Sequence, residues 1–194
     1  RRVPPKVMSS EEPDIVHALI DLCQQMKITC LVQVGAEDGY EANAIREAVY
    51  GCRAVAVEPD PKCKPVSPKL EFHEALIGAT NSVVEFYLNS VPGLSSQIPR
   101  YDGVEIRLTM PQQRLDTFCP KYDIVPDALI VDTEGTTLDV LEGCGSLIDG
   151  VRLIYAEVQA QEIRPGMRLL PEVEAFLAQR GFMRREGAPA YSVG

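Results

Sequence analysis

The stretch CLVQVGAEDG, residues 30–39, decides the fold. Residues 30–34 are apolar except for Gln33, a run too short for a buried helix. They read as a strand covered on both faces and closed by a glycine. A helical pattern follows over roughly 39–49, with Ala42, Ile45, Ala48 and Val49 as its inner face. A second short apolar run, AVAV at 54–57, then ends in Glu58-Pro59-Asp60-Pro61. Strand, glycine turn, helix and strand in so few residues is the opening unit of a parallel α/β sheet.

Upstream, Ile15, Val16, Leu19, Ile20, Leu22, Cys23 and Met26 recur at helical spacing over 13–27. Glu11, Glu12 and Asp14 crowd the start of that helix, where its dipole favours negative charge. Residues 1–11 read as a mobile lead-in and 12–194 as one domain. Downstream, 70–77 reads as a third strand and 82–88 as an exposed one. A Gly-, Ser- and Pro-rich loop spans 89–104, and 105–109 reads as an edge strand. The run ALIV at 128–131 is continuously apolar, as a sheet with both faces covered requires. Helix 137–142, strand 151–156, helix 171–180 and short strands at 182–186 and 190–193 complete a doubly wound, Rossmann-like α/β domain.

The chain has 194 residues, 19 Lys plus Arg against 28 Asp plus Glu, and a net charge of −9. An acidic chain without a basic run argues against bulk nucleic-acid binding. Its apolar stretches fall well short of a membrane span, and no signal-like segment opens it. Its six cysteines show no C-x-x-C pair, and only two histidines accompany them. That pattern speaks against a zinc cluster and for free thiols in a reducing, cytoplasmic compartment.

Three strand ends carry candidate chemistry. Gly35, Ala36, Glu37 and Gly39 form a G-x-x-x-G turn, not the G-x-G-x-x-G that cradles a pyrophosphate. Its two acids, Glu37 and Asp38, suit a cationic or amine-bearing ligand; the same residues also suit an ordinary glycine turn. Glu58 ends the second strand, where a carboxylate can accept ribose hydroxyls. Glu74 and Ala75 end the third, where an adenine edge would be read, although a solvated strand end reads the same way. Asp132 and Glu134 follow the strand at 128–131, and Glu157 follows the next. Three carboxylates thus converge on one sheet edge, with helix capping as the plain alternative for the first two.

Taken in order, VQVGAEDG, AVEPDP, RLDTF, VDTEG and VLEG, then a strand ending in Glu, resemble the FkbM family of S-adenosylmethionine-dependent methyltransferases over roughly residues 30–160. The resemblance implies a seven-stranded sheet with the last strand antiparallel and the cofactor over the first three strands. Gly35, Ala36 and Gly39 would line its methionine end, Glu58 its ribose, and Glu74 with Ala75 its adenine. Asp132 and Glu134 would face the transferred methyl. The chain departs from the family pattern at Gln33, where Asp is usual and would hold the cofactor's amine. It departs again at Glu37 in place of Asn, and at Thr137 in place of a second Glu.

The expected activity is O-methylation of a hydroxyl on a small molecule, sugar or glycoside, with Asp132 or Glu134 as base. A divalent ion held by Asp132, Glu134 or Glu157 is a less favoured way to activate that hydroxyl. The loop at 89–104, with Ser95 and Ser96, is expected to cover the acceptor. Two other classes remain: a non-catalytic scaffold with the same fold, and a nicotinamide-dependent oxidoreductase. The glycine spacing argues against the oxidoreductase.

Overall fold

A computed structural model describes residues 15–91, 93–101, 105–185 and 190–193. The lead-in at 1–11, the acids at 11, 12 and 14, and loop residues 92 and 102–104 lie outside them.

The elements run in chain order α1 (Ile15–Gln25), β1 (Cys30–Val34), α2 (Tyr40–Ala48), β2 (Arg53–Glu58) and β3 (Glu71–Glu74). Then come β4 (Leu76–Ile77), β5 (Ser82–Leu88), β6 (Ile106–Gln113), α3 (Leu115–Lys121), β7 (Ala128–Val131) and α4 (Thr137–Gly143). A 3-10 turn (Gly145–Gly150), β8 (Leu153–Ala156), α5 (Leu170–Ala178), β9 (Phe182–Arg184) and β10 (Ala190–Val193) follow.

The main sheet has the order β3-β2-β1-β7-β8-β10-β9. Its first five strands are parallel. Strand β10 then runs antiparallel to both β8 and β9. From β1 the chain winds outward through β2 and β3, then returns to β1's other side with β7. That reversal opens a crevice at the carboxyl ends of β1 and β7, where ligands of open α/β sheets bind.

Period-2 alternation assigns each face of the sheet. Val32, Val34, Val55, Val57, Leu129 and Val131 point into the core shared with α3, α4 and α5. Leu31, Ala54, Ala56, Ala128 and Ile130 point into the core beneath α1 and α2. Both layers are apolar because both faces are covered. At the opposite end of the strands, Asp127 accepts the backbone N–H of Cys30 at 2.9 Å and pairs with Arg152 at 2.8 Å. It therefore clamps β1, β7 and β8 together.

The stretch 70–77 is two strands, not one. Strand β3 joins the main sheet beside β2, whereas β4 pairs with β6 in a second sheet of order β4-β6-β5. The Ala75 N–H donates to the Glu58 carbonyl at 3.2 Å, and beyond it Leu76 leaves to pack with Phe86 and Leu88. The edge strand expected at 105–109 extends to Gln113 because β5 pairs along its whole length. Helix α3 was not anticipated. It buries Leu115, Phe118 and Cys119, a helical face within seven residues that contain Pro120. Ala48, expected on the inner face of α2, is exposed, and Val49 just beyond the helix fills that place.

The RLDTF motif is a strut. Arg114 forks onto Asp116 at 2.6 Å and donates to the Ala79 carbonyl at 2.8 Å. It so ties α3 to the turn after β4.

All six cysteines are unpaired, and five are buried. Burial pushes the thiols of Cys23, Cys119 and Cys144 up to about 12, so they pack as small hydrophobes. Denatured without reductant, the protein should titrate six thiols; four or fewer would contradict this. No helix among the described residues is long and apolar enough to cross a membrane.

Candidate functional site

Three strand ends build the site. After β1, Gly35 takes a left-handed φ of 73°, and a Cβ there would overlap the Asp132 carbonyl oxygen. Glycine is thus required by both conformation and space. The turn hangs on β2: the N–H groups of Gly35 and Ala36 both donate to the Val57 carbonyl, at 3.0 and 3.2 Å. Glu58 completes the attachment. One carboxylate oxygen accepts the Glu37 N–H and the other the Asp60 N–H, each at 2.9 Å. Burial outweighs these bonds and pushes its carboxyl up to about 7.

At the end of β7, oxygens of Asp132, Glu134 and Glu157 all lie within 4.8 Å of one another. Burial pushes Asp132 up to about 8, reinforced by the charge of Glu157, a hydrogen bond to it, and the charges of Glu134 and Glu41. Glu134 is also raised by burial, but Arg164 opposes the rise. The two carboxyls are therefore unequal. Asp132 holds a proton near neutrality, while Glu134 has a cation beside it.

The loop after β5 folds back over this edge. Ser96 bridges to Tyr87, and its hydroxyl donates to the Glu134 carbonyl at 2.9 Å. The Ser95 hydroxyl donates to Asp60 at 3.0 Å. Arg164, with a side chain only 1% exposed, holds the loop from the other side. Its guanidinium donates to the carbonyls of Leu94 at 2.6 Å and Ile98 at 2.7 Å. It also lies 3.4 Å from both Glu105 and Glu134.

Between strand ends and loop lies a cleft of about 620 Å³, partly open to solvent. Val34, Leu76, Ile77 and Phe86 give it an apolar wall. Glu37, Glu58, Asp60, Asp132 and Glu134 give it an acidic one. A second hollow of about 270 Å³ adjoins it, sharing Asp132 and Glu134 and adding Glu157, Met167 and Arg168.

The structure therefore brings Gly35, Glu37, Glu58, Ser95, Asp132 and Glu134 into one cleft, with Glu157 in the adjoining hollow. The other candidates lie elsewhere. Gln33 is buried under α2, where its carbonyl accepts the Ala42 N–H at 3.0 Å and its amide donates to Glu41 at 2.8 Å. Ala36 is packed in the core with α2. A side chain at Gly39 would meet Leu70 and Ala56, so that glycine serves packing. Glu74 is exposed at the end of β3, and Ala75 rests on the core. Ser96 is buried and spends its hydroxyl on Glu134 and Ile98. Thr137 donates to the Glu157 carbonyl at 2.8 Å, which makes it a local brace.

Sequence reasoning did not single out Asp60, Leu76, Ile77, Phe86 or Arg164. Leu76 and Ile77 line the cleft just beyond β3, whereas Glu74 and Ala75 do not. Arg164 carries no local signal, since its partners lie 30 to 70 residues away.

No curated protein sequence matches the chain significantly. A family model described as the methyltransferase FkbM domain matches residues 33–183, from the middle of β1 into β9. That match spans every strand end that builds the cleft, and on it the chain belongs to the FkbM-domain methyltransferase family.

Proposed function

We propose that the protein is an S-adenosylmethionine-dependent methyltransferase that methylates a hydroxyl of a small molecule, sugar or glycoside. One observation carries the reading: Asp132, whose buried carboxyl is raised to about 8 and is a stronger base than an ordinary carboxylate once ionised, lines the same cleft as Gly35 and Glu58. A base for the acceptor and a seat for a nucleoside thus share one cavity.

The residues fit the cofactor. Gly35 lets the end of β1 lie directly against the Asp132 carbonyl, so the two strand ends face one cleft. Each oxygen of Glu58 accepts one backbone N–H and keeps a lone pair for a ribose hydroxyl. Leu76, Ile77 and Phe86 offer a flat base an apolar wall. Bound there, the cofactor would supply an activated methyl. The chain's own residues would align the acceptor and take its proton. Asp132 is the base in this reading, and Glu134, held beside Arg164, orients the hydroxyl. The loop carrying Ser95 covers the acceptor. The three carboxylates could also collect a divalent ion, but no step here depends on one. The free thiols suit a reducing, cytoplasmic setting.

Replacing Glu58 with Ala removes the ribose acceptor. Hydrogen bonds to a charged group contribute about 1.5–3 kcal/mol each, so affinity for S-adenosylhomocysteine should fall at least about tenfold by calorimetry. Unchanged affinity would place the nucleoside elsewhere.

A further inference from the structure

We propose that the cleft selects its cofactor by charge, holding the cationic sulfonium form ahead of the neutral thioether that remains after transfer. This rests on the methyltransferase reading above and deepens it. The observation is the one-sidedness of the lining. Glu37, Glu58, Asp60, Asp132 and Glu134 all face the cleft, and no Lys, Arg or His is among the described residues that line it.

Among the described residues, the cations nearest this wall are Arg164 and Arg100 at Glu134 and Arg168 in the adjoining hollow. The charges that act on Glu37 and Asp132 are negative. Asp38 and Glu41 lie beside Glu37, and Glu157, Glu134 and Glu41 beside Asp132. Glu58 and Asp60 are steadied by backbone N–H groups and the Ser95 hydroxyl, and Glu58 is raised further by Asp60 and Glu37. Carboxyls desolvated together in this way resist ionising. A ligand with net positive charge relieves the repulsion and drives protons off them; a neutral ligand does neither.

S-adenosylmethionine carries a sulfonium, an ammonium and a carboxylate, for a net charge of +1. Its demethylated product is net neutral. With Glu58 raised to about 7, the preference should be large at pH 8. It should shrink as pH falls, because a cation must then displace bound protons.

Calorimetry on the full chain at pH 8 and pH 5.5 tests this with three probes. They are S-adenosylmethionine, S-adenosylhomocysteine and sinefungin, whose cationic amine replaces the methyl sulfonium. Both cationic probes should bind about tenfold tighter than the thioether at pH 8, the scale of one partly screened charge interaction. The gap should narrow to about threefold or less at pH 5.5. Binding heats compared in phosphate and Tris should report proton release for the cations alone. Glu37→Gln should narrow the gap at pH 8. If the thioether binds as tightly as the cations and no protons are released, charge selection is overturned while the cofactor reading stands. If none of the three binds, the cofactor reading itself fails.

Discussion

Replacing Arg164 with Met is expected to lower the melting midpoint by about 10 °C and to open the loop at 93–101 to protease. The guanidinium and the Glu105 side chain are 1% and 2% exposed. Removing one partner of a buried ion pair typically costs about 3–5 kcal/mol, because the other charge stays behind without compensation. For a domain of this size, each kcal/mol lowers the midpoint by roughly 2–4 °C. Two carbonyls, of Leu94 and Ile98, lose their donors as well. Arg164→Lys should recover little, since one ammonium cannot serve four acceptors on two sides. The double variant Arg164→Met with Glu105→Gln should recover part of the loss, because the more deeply buried of the two stranded carboxylates is gone. A midpoint shift under about 2 °C with unchanged proteolysis would show that Arg164 does not hold the loop.

Arg164 also marks where the sequence stops being legible. The two cores could be read from alternation alone: residues 54 to 57 step between the faces in turn, and their burial follows. Gly35, Glu58 and Asp132 could be read because topology places strand ends together whatever their side chains do. What failed was side-chain direction and the path after a strand. Gln33 shares parity with Leu31 and so points toward α2, away from the cleft that Val34 lines. That parity is available in the sequence, but the glycine turn two residues on outweighs it. The break at Ala75 was not available. It depends on the Glu58 carbonyl and on the second sheet that Leu76 joins. Helix α3 was hidden because seven residues give little periodicity and Pro120 argues against a helix. Arg164 reads as one more surface cation until the loop it holds is in place.

The acidic wall has a consequence for stability as well as for binding. Asp132 and Glu58 are each raised well above the ordinary carboxyl value by burial and by their neighbours. Between that ordinary value and about 7–8, the folded protein keeps protons that the unfolded chain has given up. Stability must therefore fall as pH rises through this window. The cleft is the costly part of an otherwise consistent fold, as expected of a site kept for chemistry.

Asp132→Asn separates that chemistry from stability. In the proposed reaction Asp132 takes the acceptor proton, and general-base catalysis typically contributes 10²–10⁴-fold. Transfer of labelled methyl to hydroxyl acceptors should therefore fall by about that factor. Affinity for S-adenosylhomocysteine should change little, because the proposed ribose and base contacts lie on β2, β4 and β5. The same variant should be more stable than wild type near pH 8, by on the order of 2 kcal/mol, since an amide cannot ionise in that buried cluster. Its N–H can still donate to Glu157, so the hydrogen bond that links the two residues survives. The gain should vanish near pH 3, where wild-type Asp132 is protonated in the folded state and mostly protonated in the unfolded chain. Lost transfer with raised stability is the signature of a strained base. A variant that is less stable at every pH would instead mark Asp132 as a structural residue. Full transfer in a stable variant would move the base to Glu134 or Glu157.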